Sequence, residues 1–168
     1  MSYKQHAESS KDLVVRCAII TLSDTRTPGT DASGNRIVEL LKAESHPVVE
    51  HLLLKENPGL LHPVLWQLID RQDIDAILTT GGTGISRRDQ TIPVLEKMID
   101  QPLPGFGELF RQLSYAQIGS GAMLSRALGG IAGGKAVFAM PGSTAAVELA
   151  MTKLILPEIR HLVFELRK

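Results

Sequence analysis

Residues 12–22 (DLVVRCAIITL) and 74–80 (IDAILTT) are nearly unbroken apolar, β-branched runs that lack the alternation of a half-exposed strand. Strands of this kind need cover on both faces, which calls for a parallel sheet with helices on either side. The helical spacings between them supply that cover. Ile37, Leu40, Leu41 and Glu44 mark a first helix, with Asp31 or Ser33 as its N-cap. Residues 47–54 read as another strand. Pro58 then opens a helix carrying the stripe Leu61, Val64, Leu65, Leu68 and Ile69. Residues 91–100 and 107–116 predict two further helices, separated by the breaker Pro102-Leu103-Pro104-Gly105. Residues 127–132 and 135–140 flank Gly133-Gly134, which signals either a hairpin or one irregular strand. From Ser143 a helical pattern runs onward and bends at Pro157. The expected fold class is α/β: a three-layer α/β/α sandwich with a mainly parallel sheet, spanning residues 12–168 as a single domain. Residues 1–11 read as a loose polar tail. In such sheets ligands bind beyond the carboxyl ends of the strands.

Composition removes several function classes. The chain has 18 Lys plus Arg, 18 Asp plus Glu and 4% aromatic residues. It therefore has neither the field nor the stacking platforms of a general nucleic-acid binder. Its one cysteine, Cys17, lies within an apolar run and reads as core, which excludes a disulfide framework and a cysteine-rich zinc site. No apolar stretch approaches 18 residues and the N-terminus has no secretory pattern, so the expectation is a soluble, cytoplasmic protein without membrane contact. Zero net charge favours self-association, as does an apolar C-terminal half containing Leu124, Leu128, Ile131 and Phe138.

Two motif-like features carry no chemistry. Residues 129–136 (GGIAGGKA) imitate a phosphate-binding P-loop, but Ala136 lacks the metal-binding hydroxyl and a strand follows where a helix is required. The five histidines (His6, His46, His51, His62 and His161) show no metal-hydrolase spacing. Gly81-Gly82-Thr83-Gly84 is more informative. A buried strand delivers the chain to a loop with almost no side-chain bulk, where backbone N–H groups can converge on an anion. Arg87-Arg88-Asp89 follows, giving cations for phosphate oxygens and a carboxylate for Mg²⁺. Thr21, Ser23 and Asp24 end the first strand, Asp31-Ala32-Ser33-Gly34 opens a helix, and Ser143 follows Met140-Pro141-Gly142. Together these boundaries suggest one phosphate-rich crevice.

The stretches Thr21-Leu-Ser-Asp24, Asp31-Ala-Ser-Gly34, Thr79-Thr-Gly-Gly-Thr-Gly84, Arg88-Asp-Gln-Thr91, Pro104-Gly-Phe-Gly-Glu108, Leu124-Ser-Arg126 and Met140-Pro-Gly-Ser143 resemble the MoaB/Mog family of molybdenum cofactor biosynthesis proteins, which includes the G domain of gephyrin. They occur in family order and cover nearly the whole chain. The resemblance implies a molybdopterin-binding α/β fold that assembles as a homotrimer or homohexamer. It also implies transfer of AMP from Mg-ATP to the terminal phosphate of molybdopterin, with release of pyrophosphate. Asp89 matches the family's catalytic, metal-associated aspartate. Gly81, Gly82, Thr83 and Gly84 match the nucleotide loop, with Arg88 beside it. Thr21, Ser23, Asp24, Asp31, Ser33 and Gly34 match the binding loops near the first strand, and Ser125, Pro141, Gly142 and Ser143 fall in other site motifs.

One position departs from the adenylylating members, which carry a second aspartate after the second strand. Here the segment is Leu54-Lys55-Glu56-Asn57, with Glu56 as the second catalytic and metal-binding carboxylate. The added methylene leaves two readings of the family likeness. One is a nucleotidyltransferase; the other is a non-catalytic, pterin-binding oligomeric carrier in the same pathway.

Overall fold

The computed structural model describes residues 10–168. In chain order its elements are β1 (Cys17–Leu22), a 3₁₀ turn (Pro28–Thr30), α1 (Ala32–Ala43), β2 (Val48–Leu54), α2 (Pro58–Asp70), β3 (Ala76–Thr80) and α3 (Thr91–Glu96). There follow β4 (Gln101–Pro102), α4 (Pro104–Ile118), a 3₁₀ stretch (Gly119–Leu124), β5 (Leu128–Ala132) and β6 (Lys135–Met140). Helix α5 (Thr144–Ala150), a π-helical turn (Met151–Ile155) and α6 (Leu156–Leu166) complete the fold.

The unbroken apolar runs become the middle of a six-stranded sheet of order β2-β1-β3-β6-β5-β4. β1, β2, β3 and β6 pair parallel, while the short strands beyond β6 pair antiparallel. Alternate residues of the central strands feed two cores. Cys17, Ile19, Leu78 and Phe138 pack with Ile37 and Leu41 of α1, Phe110 of α4, and Val147 and Ile159 of the C-terminal helices. Ala18, Ile20, Ile77 and Val137 pack on the other face with Leu61 and Leu65 of α2 and Leu95 of α3. The result is an α/β/α sandwich.

Several boundaries move for identifiable reasons. β1 starts at Cys17, not near Asp12, because preceding amides turn to side chains: Val15 N donates to His46 Nδ1 and Arg16 N to Asp75 Oδ2. Asp31, not Ser33, caps α1, accepting from Gly34 N. The Pro102–Gly105 breaker divides its roles: Pro102 ends a two-residue edge strand, and Pro104 opens α4 from a position where it needs no N–H. α3 is correspondingly shorter than the expected 91–100 helix. The glycine pair makes a hairpin, with φ of 53° at Gly133 and 76° at Gly134. The C-terminal helical run widens into a π turn just before Pro157, which has no N–H to continue the ordinary bonding. Of the apolar residues taken to favour self-association, Ile131 and Phe138 are core and only Leu124 is well exposed. The expected tail lies outside the described residues except for Ser10, which is buried, and Lys11.

At the amino ends of the strands, Asp75 closes the sheet. It accepts from Arg16 N and Nε at 2.9 Å each, and from Arg16 Nη2 at 2.9 Å and Arg167 Nη2 at 2.8 Å. Burial pushes its carboxyl upward, but the bonds from Arg16 and Arg167 outweigh that and hold it far below the ordinary carboxylate range. A carboxyl depressed by folding stabilises the protein above its unfolded pKa, and the contribution is lost as pH falls through the folded value. Asp75→Asn should therefore cost on the order of 2 kcal/mol at neutral pH. Urea unfolding should show the gap to wild type closing only below about pH 4.

Candidate functional site

The carboxyl ends of β1, β3 and β6 open onto a cleft of about 530 Å³. Leu22 and Ser23 reach it from β1, Gly81–Gly84 from β3, and Pro141, Gly142 and Ser143 from β6. Glu56 enters from the end of β2, and Arg26 from the loop after β1. The facing wall is Phe110, Ser114 and Ile118 of α4, with Leu124 and Ser125 beyond.

The glycine loop is shaped by close approach. Gly81 has φ of 94°, and a Cβ there would stand 2.2 Å from the Leu22 carbonyl oxygen. Gly82 has φ of 63°, and its Cβ would lie 2.4 Å from Thr91 Oγ1. Only glycine meets both the conformation and the space. The loop's carbonyls are all spoken for. Thr91 Oγ1 donates to Gly81 O at 2.9 Å and Thr91 N to Gly82 O at 3.1 Å. Arg126 Nε donates to Thr83 O at 3.2 Å, and its Nη2 reaches Gly84 O and, at 2.8 Å, Asp89 O. The amides of Gly82, Thr83 and Gly84 have no acceptor among the described residues. A loop with its carbonyls bound to protein and consecutive N–H groups left over is suited to an anion.

Two carboxylates share the cleft. Asp89 Oδ2 accepts from Ser86 N at 2.8 Å, which folds the segment back on itself. Glu56 is raised above the usual glutamate range by burial first, then by the charges of Asp24 and Asp89, against a smaller opposing pull from Arg88. Among the described residues, no group of three or more His, Cys, Asp or Glu side chains is placed to hold a metal. Mg²⁺ commonly takes one or two carboxylates and completes its shell with phosphate and water. Glu56, raised by burial and then by the charges of Asp24 and Asp89, would with Asp89 fit such an ion arriving with a phosphate ligand.

The sequence-predicted residues divide into those that line the cleft, those buried beneath it, and two, Asp24 and Arg88, that do neither. Ser23, Glu56, Gly81, Gly82, Thr83, Gly84, Asp89, Ser125, Pro141, Gly142 and Ser143 line the cleft. Thr21, Asp31, Ser33 and Gly34 lie beneath its wall, all buried. Asp31 Oδ2 accepts from Thr21 Oγ1 at 2.6 Å and lies 3.2 Å from His51 Nε2, while its Oδ1 accepts from Gly34 N at 3.0 Å and Arg26 Nη1 at 3.4 Å. Burial raises the Asp31 carboxyl, but the bonds from Thr21, Gly34 and His51 leave it below the ordinary aspartate value. As an ionised carboxylate only accepts, the Nε2 of His51 carries the proton. Asp24 stands outside the cleft, where its Oδ1 accepts from Glu56 N at 3.2 Å and its carbonyl from Lys55 Nζ at 2.5 Å. Arg88 is exposed and shares a narrow crevice with Glu56 and Gln90.

Arg26 and the α4 wall were not among the sequence-predicted site residues. Phe110, Ser114 and Ile118 recur every four residues along one helical face, a signal that could have placed them together. Arg26 sits in a loop with no periodicity to mark it. The loop contacts of Arg126 make a separate expectation. Arg126→Ala should accelerate amide hydrogen exchange across residues 83–89 by at least about tenfold, while exchange in β1 and β6 stays unchanged.

Residues 18–161 match the family model described as "Probable molybdopterin binding domain". Molybdenum cofactor biosynthesis protein B of Bacillus cereus is 48% identical over 169 residues, which span 100% of this chain and 99% of that protein. A crystal structure of a molybdenum cofactor biosynthesis protein B has 50% identity and a TM-score of 0.89, covering 92% of this chain and 96% of the other. The tungsten cofactor synthesizing protein MoaB from Pyrococcus furiosus follows at 33% identity and a TM-score of 0.84, covering 93% and 99%.

Proposed function

The chain belongs to the MoaB/Mog family of molybdenum cofactor biosynthesis proteins, and from that premise we propose that its cleft binds molybdopterin and adenylylates it. The terminal phosphate of the pterin attacks the α-phosphorus of Mg-ATP. A new phosphoanhydride bond forms, the α–β bond breaks, and pyrophosphate leaves. The observation that carries this reading is the loop with unpaired amides at Gly82, Thr83 and Gly84, set in one cleft with Glu56 and Asp89.

The chemistry asks for alignment more than for a base. A phosphate monoester is already an anion near neutral pH, so the barrier lies in bringing two phosphates together and neutralising charge on the leaving group. The loop amides take phosphate oxygens. Asp89 and Glu56 hold the divalent ion that enters with the nucleotide; when bound, that ion offsets charge on the phosphates. The apolar α4 face, with Phe110 and Ile118, covers the less polar part of the ligand. Residues 12–168 serve as the one binding domain of a cytoplasmic protein.

Glu56 is the position at which a non-catalytic carrier would differ, because its longer side chain replaces the aspartate of adenylylating relatives. A pyrophosphate-release assay on wild type, Glu56→Asp, Glu56→Gln and Asp89→Asn, with pterin binding measured in parallel, separates the readings. The enzyme reading expects Glu56→Asp to retain or raise the rate and Glu56→Gln to lower it. Asp89→Asn should lose activity by about a hundredfold or more with pterin affinity nearly intact. Four silent proteins that all bind pterin would establish the carrier instead.

Self-association as a homotrimer or a dimer of trimers belongs to the same proposal. Exposed Leu109, Tyr115 and Met123, on α4 and the turn after it, provide apolar surface for it. Light scattering should give three or six times the 18.2 kDa chain mass. A lone monomer at micromolar concentration would refute this.

A further inference from the structure

Resting on the pterin reading above, we propose that Arg26 anchors the terminal phosphate of the pterin and makes the cleft selective for the phosphorylated form. Arg26 is the one cation among the described cleft-lining residues, where it faces two carboxylates, Glu56 and Asp89. Without it, a phosphate dianion would enter a lining whose formal charge is purely negative.

The guanidinium is held in place and yet not used up. Its Nη1 donates to Ser33 Oγ and, at 3.4 Å, to Asp31 Oδ1, and its Nη2 donates to Gly142 O at 2.7 Å. Two of those acceptors are neutral. The third, Asp31, pairs with Nη1 alone, and at a longer distance than its bonds from Thr21, Gly34 N and His51. A guanidinium offers five N–H donors. Here Nε has no acceptor among the described residues, and Nη2 has one N–H to spare. Nε and Nη2 lie on one edge of the fork, a spacing that grips two oxygens of a phosphate.

The neighbours suit the same ligand. Ser23 Oγ accepts from Thr25 N and Arg26 N, and Ser143 Oγ accepts from Ala146 N. Ser23 Oγ accepts two bonds and Ser143 Oγ one, and neither donates to a described residue, so both hydroxyl protons remain to be donated. Ser23 bonds the backbone of Arg26, and Ser143 follows the glycine whose carbonyl Arg26 holds. Two hydroxyls and a guanidinium edge thus flank the same corner of the cleft.

Calorimetry with molybdopterin, its dephosphorylated form and Mg-ATP tests the assignment on wild type, Arg26→Gln and Arg26→Lys. Arg26→Gln should weaken molybdopterin binding by about 10- to 100-fold, with Arg26→Lys recovering part of the loss. The dephosphorylated pterin should bind wild type and Arg26→Gln alike, and Mg-ATP affinity should move less than about threefold. A merely structural arginine would weaken all three ligands together, and that result would overturn the proposal, as would unchanged molybdopterin affinity. Thermal unfolding of each variant identifies misfolding, and Arg26→Lys, which keeps the charge, serves if Arg26→Gln does not fold. Wild type that binds both pterins equally would overturn the Arg26 assignment alone. Wild type that binds neither would overturn the pterin reading and this proposal with it.

Discussion

A single ionised carboxylate, Asp31, 1% exposed, holds the binding end of this molecule together. Burying such a charge costs several kcal/mol unless it is paired and fully hydrogen-bonded. Its donors come from separate parts of the chain: Thr21 on β1, Gly34 N in the first turn of α1, His51 on β2, and Arg26 in the intervening loop. Gly34 has no side chain because there is no room for one; a Cβ would lie 2.2 Å from Asp31 Oδ2 and 2.6 Å from His51 Nε2. Through Arg26 the same network crosses to Gly142 at the end of β6. Two loops that leave non-adjacent strands are thereby fixed relative to each other before any ligand arrives, which is what alignment of two reacting groups demands.

The cleft itself is a balance of unlike parts. Its glycine loop offers amides and hides carbonyls, Arg26 is the one cation among the described lining residues, and Glu56 is raised by burial first and then by the charges of Asp24 and Asp89. An anionic ligand alone meets repulsion from Glu56 and Asp89; a divalent ion alone finds too few ligands. An anion and a cation together satisfy both halves. The metal–polyphosphate complex and second phosphate proposed above would supply both.

Most of the fold was legible from periodicity. The apolar runs ending at Leu22 and Thr80 read as strands covered on both faces, and α1 and α2 show their stripes directly. What escaped was set by tertiary partners that sequence distance conceals. β1 loses its first residues to His46 and Asp75, and Gln101–Pro102 becomes a strand only because β5 lies beside it. Most of the motif residues gather at one end of the sheet, but which of them line the cleft was not readable. Ser23 and Gly142 face the cleft whereas Thr21 and Ser33, a few positions away, point into the wall. A linear motif marks that these residues act together. It does not distinguish those that meet a ligand from those that hold Arg26 where a ligand would find it.

The two ends of the sheet use the same chemistry to opposite effect. At the amino ends Asp75 receives two arginines and a backbone amide, while Lys135 Nζ donates to Arg71 O at 2.6 Å and Ile74 O at 2.8 Å. Both Asp75 oxygens are occupied, and both the aspartate and the lysine are buried, so that end is closed and serves stability. At the carboxyl ends Asp31 is equally saturated, but the arginine beside it keeps an Nε–H, and the glycine loop keeps amides, that have no acceptor among the described residues. Parallel strands gather their loops at this end, and those loops carry unsatisfied donors at some cost to stability. A fold that satisfies buried groups as completely as it does around Asp75 leaves donors open at the other end, where the proposed ligand would complete them.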